Sequence, residues 1–173
     1  IVNNEQCDGI NFGGQTCYLN DFPHGGVLSC NNCVINFSSC SLLPTYNSFN
    51  GSTTNFTQAA DIANVNGAKL ENRNYGKIEF YNVIDFTRLD LDRYVALSDK
   101  KIYVNISGNR MIRLNVPSRL TFYNVAFTTP KVLKDGVDCG NSCTEIYYAG
   151  GNYSINVTGF STYEVVEGYV VPQ

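Results

Sequence analysis

The chain has 173 residues, 43% of them hydrophobic and only 16% charged, with a net charge of −3 and a pI near 5.0. Such a composition excludes a disordered chain, and the acidic balance argues against a nucleic-acid binder, which needs a basic stripe. No apolar run approaches the ~20 residues of a membrane-spanning helix.

Seven cysteines stand at Cys7, Cys17, Cys30, Cys33, Cys40, Cys139 and Cys143, five of them within the first forty residues. That density suits a small module that lacks a sufficient core of its own. The stretch "SCNNCVINFSS" holds Cys30 and Cys33 in a Cys-x-x-Cys spacing. A structural zinc site needs a second such pair or two histidines. The chain has one histidine, His24 in "FPHGG", which reads as a solvated turn residue. A thioredoxin-type site opens a helix, and this stretch does not. A disulfide framework is expected instead, with Cys30 and Cys33 each in a bridge. Five cysteines with one left over allow fifteen pairings, and the residues themselves select none. Cys139 and Cys143, in "DCGNSC", are close enough to bridge within a loop.

The blocks "EQCDG", "GGQTC", "LSCNNC" and "FSSC" within residues 5–40 resemble the cysteine-rich repeat of myxobacterial and other microbial surface proteins. The resemblance implies an extracellular, disulfide-bonded module appended to a larger surface protein. It departs at the front, where that repeat usually carries a further cysteine in a Cys-Gly-x-Gly block. The missing cysteine leaves an odd number. No basic-then-apolar leader opens the chain, so a secreted form is expected to be already processed.

Residues 41–58, "SLLPTYNSFNGSTTNFTQ", are rich in Ser, Thr and Asn and read as a linker or long exposed loop. Residues 1–40 are thus expected as the cysteine module and 59–173 as a β-domain. "TQAADIANV" suggests a helical turn. Strand candidates follow at 67–72, 77–83, 94–98, 101–107, 119–127, 131–134, 144–149, 152–158 and 162–171. "AGGN" (149–152) sits between two of them as a hairpin turn. "KIEFYNV" echoes "RLTFYNV" at an offset of forty-two, too little to define a repeat. Short strands without long intervening helices predict an all-β fold, an antiparallel immunoglobulin-like sandwich behind the small disulfide-rich module.

Residues 118–168, with "LTFYNV", "LKDG", the short Cys loop and "GGNYSINVTGFSTY", are similar to a C-terminal β-domain of large surface proteins of archaea and uncultivated microbes. That resemblance implies an immunoglobulin-like or related architecture at the cell surface, without a catalytic motif.

Six Asn-x-Ser/Thr sequons occur, at Asn36, Asn50, Asn55, Asn105, Asn152 and Asn156. Strand alternation places Asn105, Asn152 and Asn156 on polar faces, where a covalent N-linked glycan would stand in solvent. Asn152 and Asn156 lie about 13 Å apart along a strand.

No catalytic constellation emerges. "NFGGQT" lacks the lysine of a phosphate-binding loop. In "DFTRLDLDRY", Asp90 and Asp92 have a spacing that suits calcium, but Arg88 and Arg93 flank them and local ion pairs in a turn explain the run. Any carboxylate pair among Glu79, Asp85, Asp90 and Glu145 would serve a glycosidase, and nothing selects one. No metal ligand set and no cofactor are implied. The expectation is a non-enzymatic structural or adhesive protein, extracellular at the cell surface, as a glycosylated filament or layer subunit. A secreted carbohydrate-binding or carbohydrate-active enzyme is the alternative. Its partners are expected to be other copies of itself, with surface carbohydrate as a further one. The C-terminal strand former "STYEVVEGYVVPQ" is the expected connector, adding as an edge strand to the next copy.

Overall fold

The computed structural model describes residues 5–168. Two strands, β1 (Ser29–Asn31) and β2 (Val34–Asn36), pair antiparallel around a tight turn. Asn32 and Cys33 occupy that turn with φ of 51° and 62°, the double left-handed geometry of a two-residue hairpin. The Cys-x-x-Cys spacing is thereby split. Cys30 sits on a strand, while Cys33 sits at the tip of a turn and is exposed.

Cys30 is bridged to Cys7 and Cys17 to Cys40, each across 23 positions. Each closed loop removes about 3 kcal/mol of chain entropy from the unfolded state on the entropic model. The bridges compensate for a small core: Cys17, Leu28 and Cys40 are buried, with Phe12, Phe22, Ile35 and Phe37 packed against them. The Phe22 and Phe37 rings stack at 6.0 Å.

Ten further strands follow: β3 (Lys69–Asn72), β4 (Gly76–Phe80), β5 (Val95–Ser98), β6 (Lys101–Val104), β7 (Ser118–Phe122), β8 (Pro130–Lys134), β9 (Val137–Asp138), β10 (Cys143–Ala149), β11 (Asn152–Val157) and β12 (Thr162–Glu167). One sheet runs β10-β11-β7-β4-β3 and the other β5-β6-β12-β8-β9, all pairings antiparallel. The chain is therefore all-β: a small disulfide-rich module followed by an antiparallel, immunoglobulin-like sandwich. One four-residue helix, α1 (Leu91–Tyr94), interrupts it.

Period-2 alternation builds the core. Ile78 and Phe80 of β4, Leu120 and Phe122 of β7, and Ile155 and Val157 of β11 point inward and are buried. Ile102, Val104, Tyr163 and Val165 face them from the second sheet. Phe56, Phe86, Phe80 and Phe160 form a chain of ring contacts through this core at 4.6, 6.0 and 5.6 Å. Burying each such side chain contributes roughly 1.5–3 kcal/mol. The two echoing segments prove to be neighbours: β4 and β7 pair with Ile78 opposite Leu120. The hairpin between β10 and β11 turns at Gly150 and Gly151, with φ of 58° and 76°. Only glycine takes both positions without steric cost.

Two expectations are corrected and a third is narrowed. Residues 41–58 are not an exposed linker, because Phe49 and Phe56 are buried in the sandwich core. Asn50 and Thr54 also donate backbone hydrogen bonds to the Glu71 and Lys69 carbonyls along the edge of β3. The helical turn expected in "TQAADIANV" is confined to its start, where Phe56–Gln58 make a 3-10 turn capped by Asn55. β12 is not an open edge. It pairs with β6 on one side and β8 on the other, because alternating Tyr163 and Val165 are apolar enough to fill a central position. Residues 169–173 of the expected connector lie outside the described residues.

Candidate functional site

The cysteine module and the sandwich meet at Arg88. Its backbone is held left-handed at φ 60°, and its N–H donates to the Leu42 carbonyl at 2.8 Å. This aims the side chain at the cysteine module. Nε donates to the Asp21 carbonyl at 2.7 Å and Nη2 to the Asn20 carbonyl at 2.9 Å. The guanidinium lies 3.8 Å from the centre of the Phe22 ring. Hydrogen bonds from a charged donor contribute about 1.5–3 kcal/mol each where they are shielded from water.

Beside this latch opens a cleft of about 120 Å³, lined by Tyr18, Asp21, Arg88, Arg93, Tyr94 and Arg110 among others. The cysteine module supplies Tyr18 and Asp21. The turn entering α1 and α1 itself supply Arg88, Arg93 and Tyr94, and the loop after β6 supplies Arg110. Arg110, like Arg88, stands in left-handed backbone, at φ 61°. Asp21 does too, at φ 65°, and three non-glycine residues held this way in one site is the kind of local strain that gathers at functional positions. Tyr94 forms a wall because Gly108 lies beneath it: a Cβ there would meet the ring at 2.6 Å.

The electrostatics are cationic but partly offset. Arg110 pairs with Asp21 at 3.6 Å. Arg93 makes no ion pair among the described residues; its guanidinium sits 5.2 Å from the Tyr94 ring centre. Burial is the main influence lowering the Arg88 pKa, and repulsion from Arg110 and Arg113 adds to it while Asp21 opposes. Asp90 accepts from the Thr45 hydroxyl at 2.6 Å.

The local ion pairs expected in "DFTRLDLDRY" are thus corrected. Arg88 bonds to carbonyls of the cysteine module and Arg93 packs on a ring. Asp92 accepts backbone hydrogen bonds from Asn47 at 2.9 Å and Ser48 at 2.7 Å, and one from the Asn47 side chain at 2.9 Å. Both aspartates therefore fasten the 41–58 segment. Among the described residues no group of three His, Cys, Asp or Glu side chains is arranged to hold a metal.

Cys139 is bridged to Cys143, which ties the end of β9 in one sheet to the start of β10 in the other. Cys33 forms no bridge, contrary to expectation. The hairpin turn holds it at the surface with its Sγ 3.6 Å from Glu5 Oε1, while Cys30 is taken by Cys7. Charge repulsion from Glu5 leads the effects that raise its pKa, followed by slight burial, the Glu5 hydrogen bond and Asp8.

The sequon asparagines are scattered. Asn50 and Asn55 are exposed beside β3, where Asn50 Oδ1 accepts from the Arg73 N–H and Asn55 Oδ1 from the Thr57 N–H. Asn36 and Asn105 each cap a turn by accepting from Ser38 and Ser107. Asn152 and Asn156 lie half-buried on the outer face of β11, where Tyr81 donates its hydroxyl to Asn156. None of the six lines the junction cleft. Sequence reasoning missed the cleft itself; its one local signal was the run of arginines around Asp90.

No family model matches the chain, and no curated relative does. Among solved structures it is similar to the C-terminal domain of nuclear pore complex component NUP116 from Candida glabrata. The identity is 19% and the TM-score 0.47, over 66% of this chain and 91% of that one. It is also similar to the Nup145N APD fused to Nup145C N from Chaetomium thermophilum, at 19% identity and a TM-score of 0.44, over 57% of this chain and 82% of that one. These neighbours are nuclear pore domains rather than surface proteins. On that finding the extracellular filament or adhesin subunit, its secreted carbohydrate-active alternative and the cell-surface localisation are withdrawn as expectations. Likeness of this degree carries no activity or location from those proteins to this chain. Among the described residues no helix is long and apolar enough to cross a membrane.

Proposed function

We propose that this chain is a non-catalytic binding module whose recognition surface is the cleft between the cysteine module and the sandwich. The observation that carries the reading is the convergence of Arg88, Arg93, Arg110, Tyr18 and Tyr94, from three separate stretches of chain, on one cleft. Arg and Tyr are the residue types that concentrate binding energy at interfaces, because each combines a large packing surface with fixed donors. A guanidinium remains charged at any physiological pH and cannot act as a base. The two lining carboxylates are engaged, Asp21 with Arg110 and Asp90 with the Thr45 hydroxyl, so the lining offers donors and ring faces, which suits holding a group in place rather than transforming it. The rigid scaffold is consistent with this role, since loops carried on a fixed framework are where binding residues concentrate.

Panning a random peptide library on the immobilised chain tests the reading. Enriched peptides are expected to lose binding to a variant carrying both Tyr18→Ala and Arg93→Gln, whose fold is verified by circular dichroism. Peptides that bind this folded variant as well as the parent would place recognition elsewhere and overturn the proposal.

A further inference from the structure

Resting on that reading, we infer that the junction cleft takes an acidic peptide, with one side-chain carboxylate seated among Arg88, Arg93 and Arg110. Three features of the cleft converge on a single negative charge. The lining contains three arginines and two aspartates, Asp21 and Asp90, a balance of 3 − 2 = +1. That balance matches a monoanionic carboxylate and falls short of a dianionic phosphate, which would leave one charge uncompensated in a partly enclosed site.

The second feature is Arg93. Its guanidinium has a ring contact and no ion pair among the described residues, so it brings an unspent planar fork to the rim. Carboxylates take such a fork in two parallel hydrogen bonds. Arg110, by contrast, is only loosely held, at 3.6 Å from an Asp21 carboxylate that is itself well exposed. An incoming carboxylate competes with Asp21 for it at little cost, because exposed ion pairs contribute at most about 1 kcal/mol.

The third feature is size and walls. About 120 Å³ holds one short side-chain end, not a folded surface. The Tyr18 and Tyr94 rings at the sides offer apolar faces for the methylenes behind a carboxylate and for the neighbouring peptide residues. The chain's own charge of −3 disfavours a polyanion such as nucleic acid, whose binding needs many cations along a groove.

The experiment uses the whole 173-residue chain, labelled with ¹⁵N, and three probes: a blocked glutamate-containing tetrapeptide, its glutamine counterpart, and inorganic phosphate. The glutamate peptide is expected to shift the amide resonances of residues 88, 93 and 110 saturably. The glutamine peptide is expected to bind at least tenfold more weakly. Arg93→Gln, chosen because this exposed side chain is not part of the latch, is expected to weaken the glutamate peptide about tenfold with the spectrum elsewhere unchanged. Equal binding of the glutamate and glutamine peptides would overturn the carboxylate inference while leaving the cleft as a binding surface. Phosphate binding more tightly than the glutamate peptide would overturn it in favour of a phosphorylated partner. Silence of the cleft resonances toward all three probes would overturn both this inference and the reading beneath it.

Discussion

Arg88 and Asp21 stand 67 positions apart in sequence, yet the Arg88 Nε donates to the Asp21 carbonyl oxygen at 2.7 Å. Through this bond and its companion to Asn20, one side chain fastens two units with separate cores. The latch is expected to be expensive to remove. Arg88→Ala should destabilise the chain by about 1–3 kcal/mol, the cost of losing one exposed and one partly buried bond from a charged donor. Arg88→Lys should recover less than half of this, because an ammonium lacks the planar fork. Chemical denaturation checks both values. A loss under 0.5 kcal/mol in the alanine variant would show that the units are held by other contacts.

Asp92 is expected to make part of the stability pH-dependent. Burial alone would raise its carboxyl pKa, but the bonds donated by Ser48 and Asn47 outweigh burial and hold it below the ordinary aspartate value. A folded pKa below the unfolded one stabilises the fold at pH values above the unfolded pKa, near 4. That stabilisation disappears as pH falls through the lower folded value. Asp92→Asn should therefore cost about 1–3 kcal/mol at pH 7 and flatten the acid limb of the stability curve. Urea midpoints between pH 2 and pH 7 decide the matter; parallel curves for the two proteins would contradict it.

Cys33 gives a stoichiometric test of the bridging pattern. With three disulfides and one free thiol among seven cysteines, the native chain should take up one equivalent of iodoacetamide, and seven after reduction under denaturing conditions. Repulsion from Glu5 disfavours the thiolate, so alkylation should keep accelerating above the usual thiol range. Glu5→Gln should move the rate profile to lower pH. Peptide mapping that finds Cys33 bridged, or Cys30 alkylated, would require a different pairing.

The position of β12 sets an outcome opposite to that of an assembly strand. Val165 is 2% exposed in the middle of its sheet, so Val165→Asp would bury an unpaired charge. Such changes cost about 4 kcal/mol or more, enough to unfold many domains. Loss of the β-sheet circular dichroism signal is expected, with the Cys7–Cys30 and Cys17–Cys40 bridges still present in unreduced peptide maps. A variant that kept its sheets would show that β12 is dispensable to the sandwich.

What the sequence determined by itself was local. Alternation in "KIYVNIS" and "NYSINVT" exposed the strands, because side chains two residues apart share a face whatever the strand's partner. Gly150-Gly151 identified a hairpin, because few other residues tolerate two consecutive positive φ angles. The clustered cysteines announced a disulfide-bonded module, because a unit so small cannot bury enough apolar surface alone. Tertiary structure alone decided how these parts join. Which cysteine of "CNNC" is bridged depended on a two-residue turn that takes Cys33 off the strand carrying Cys30. The rank of β12 in its sheet depended on β6 and β8, whose residues lie tens of positions away. Arg88 reads in sequence as the partner of a neighbouring aspartate, yet its partners are carbonyls of Asn20 and Asp21. Backbone carbonyls are present at every residue, so no side-chain pattern marks the ones a distant arginine will find. The cleft formed by that meeting was therefore visible only once the two units were placed together.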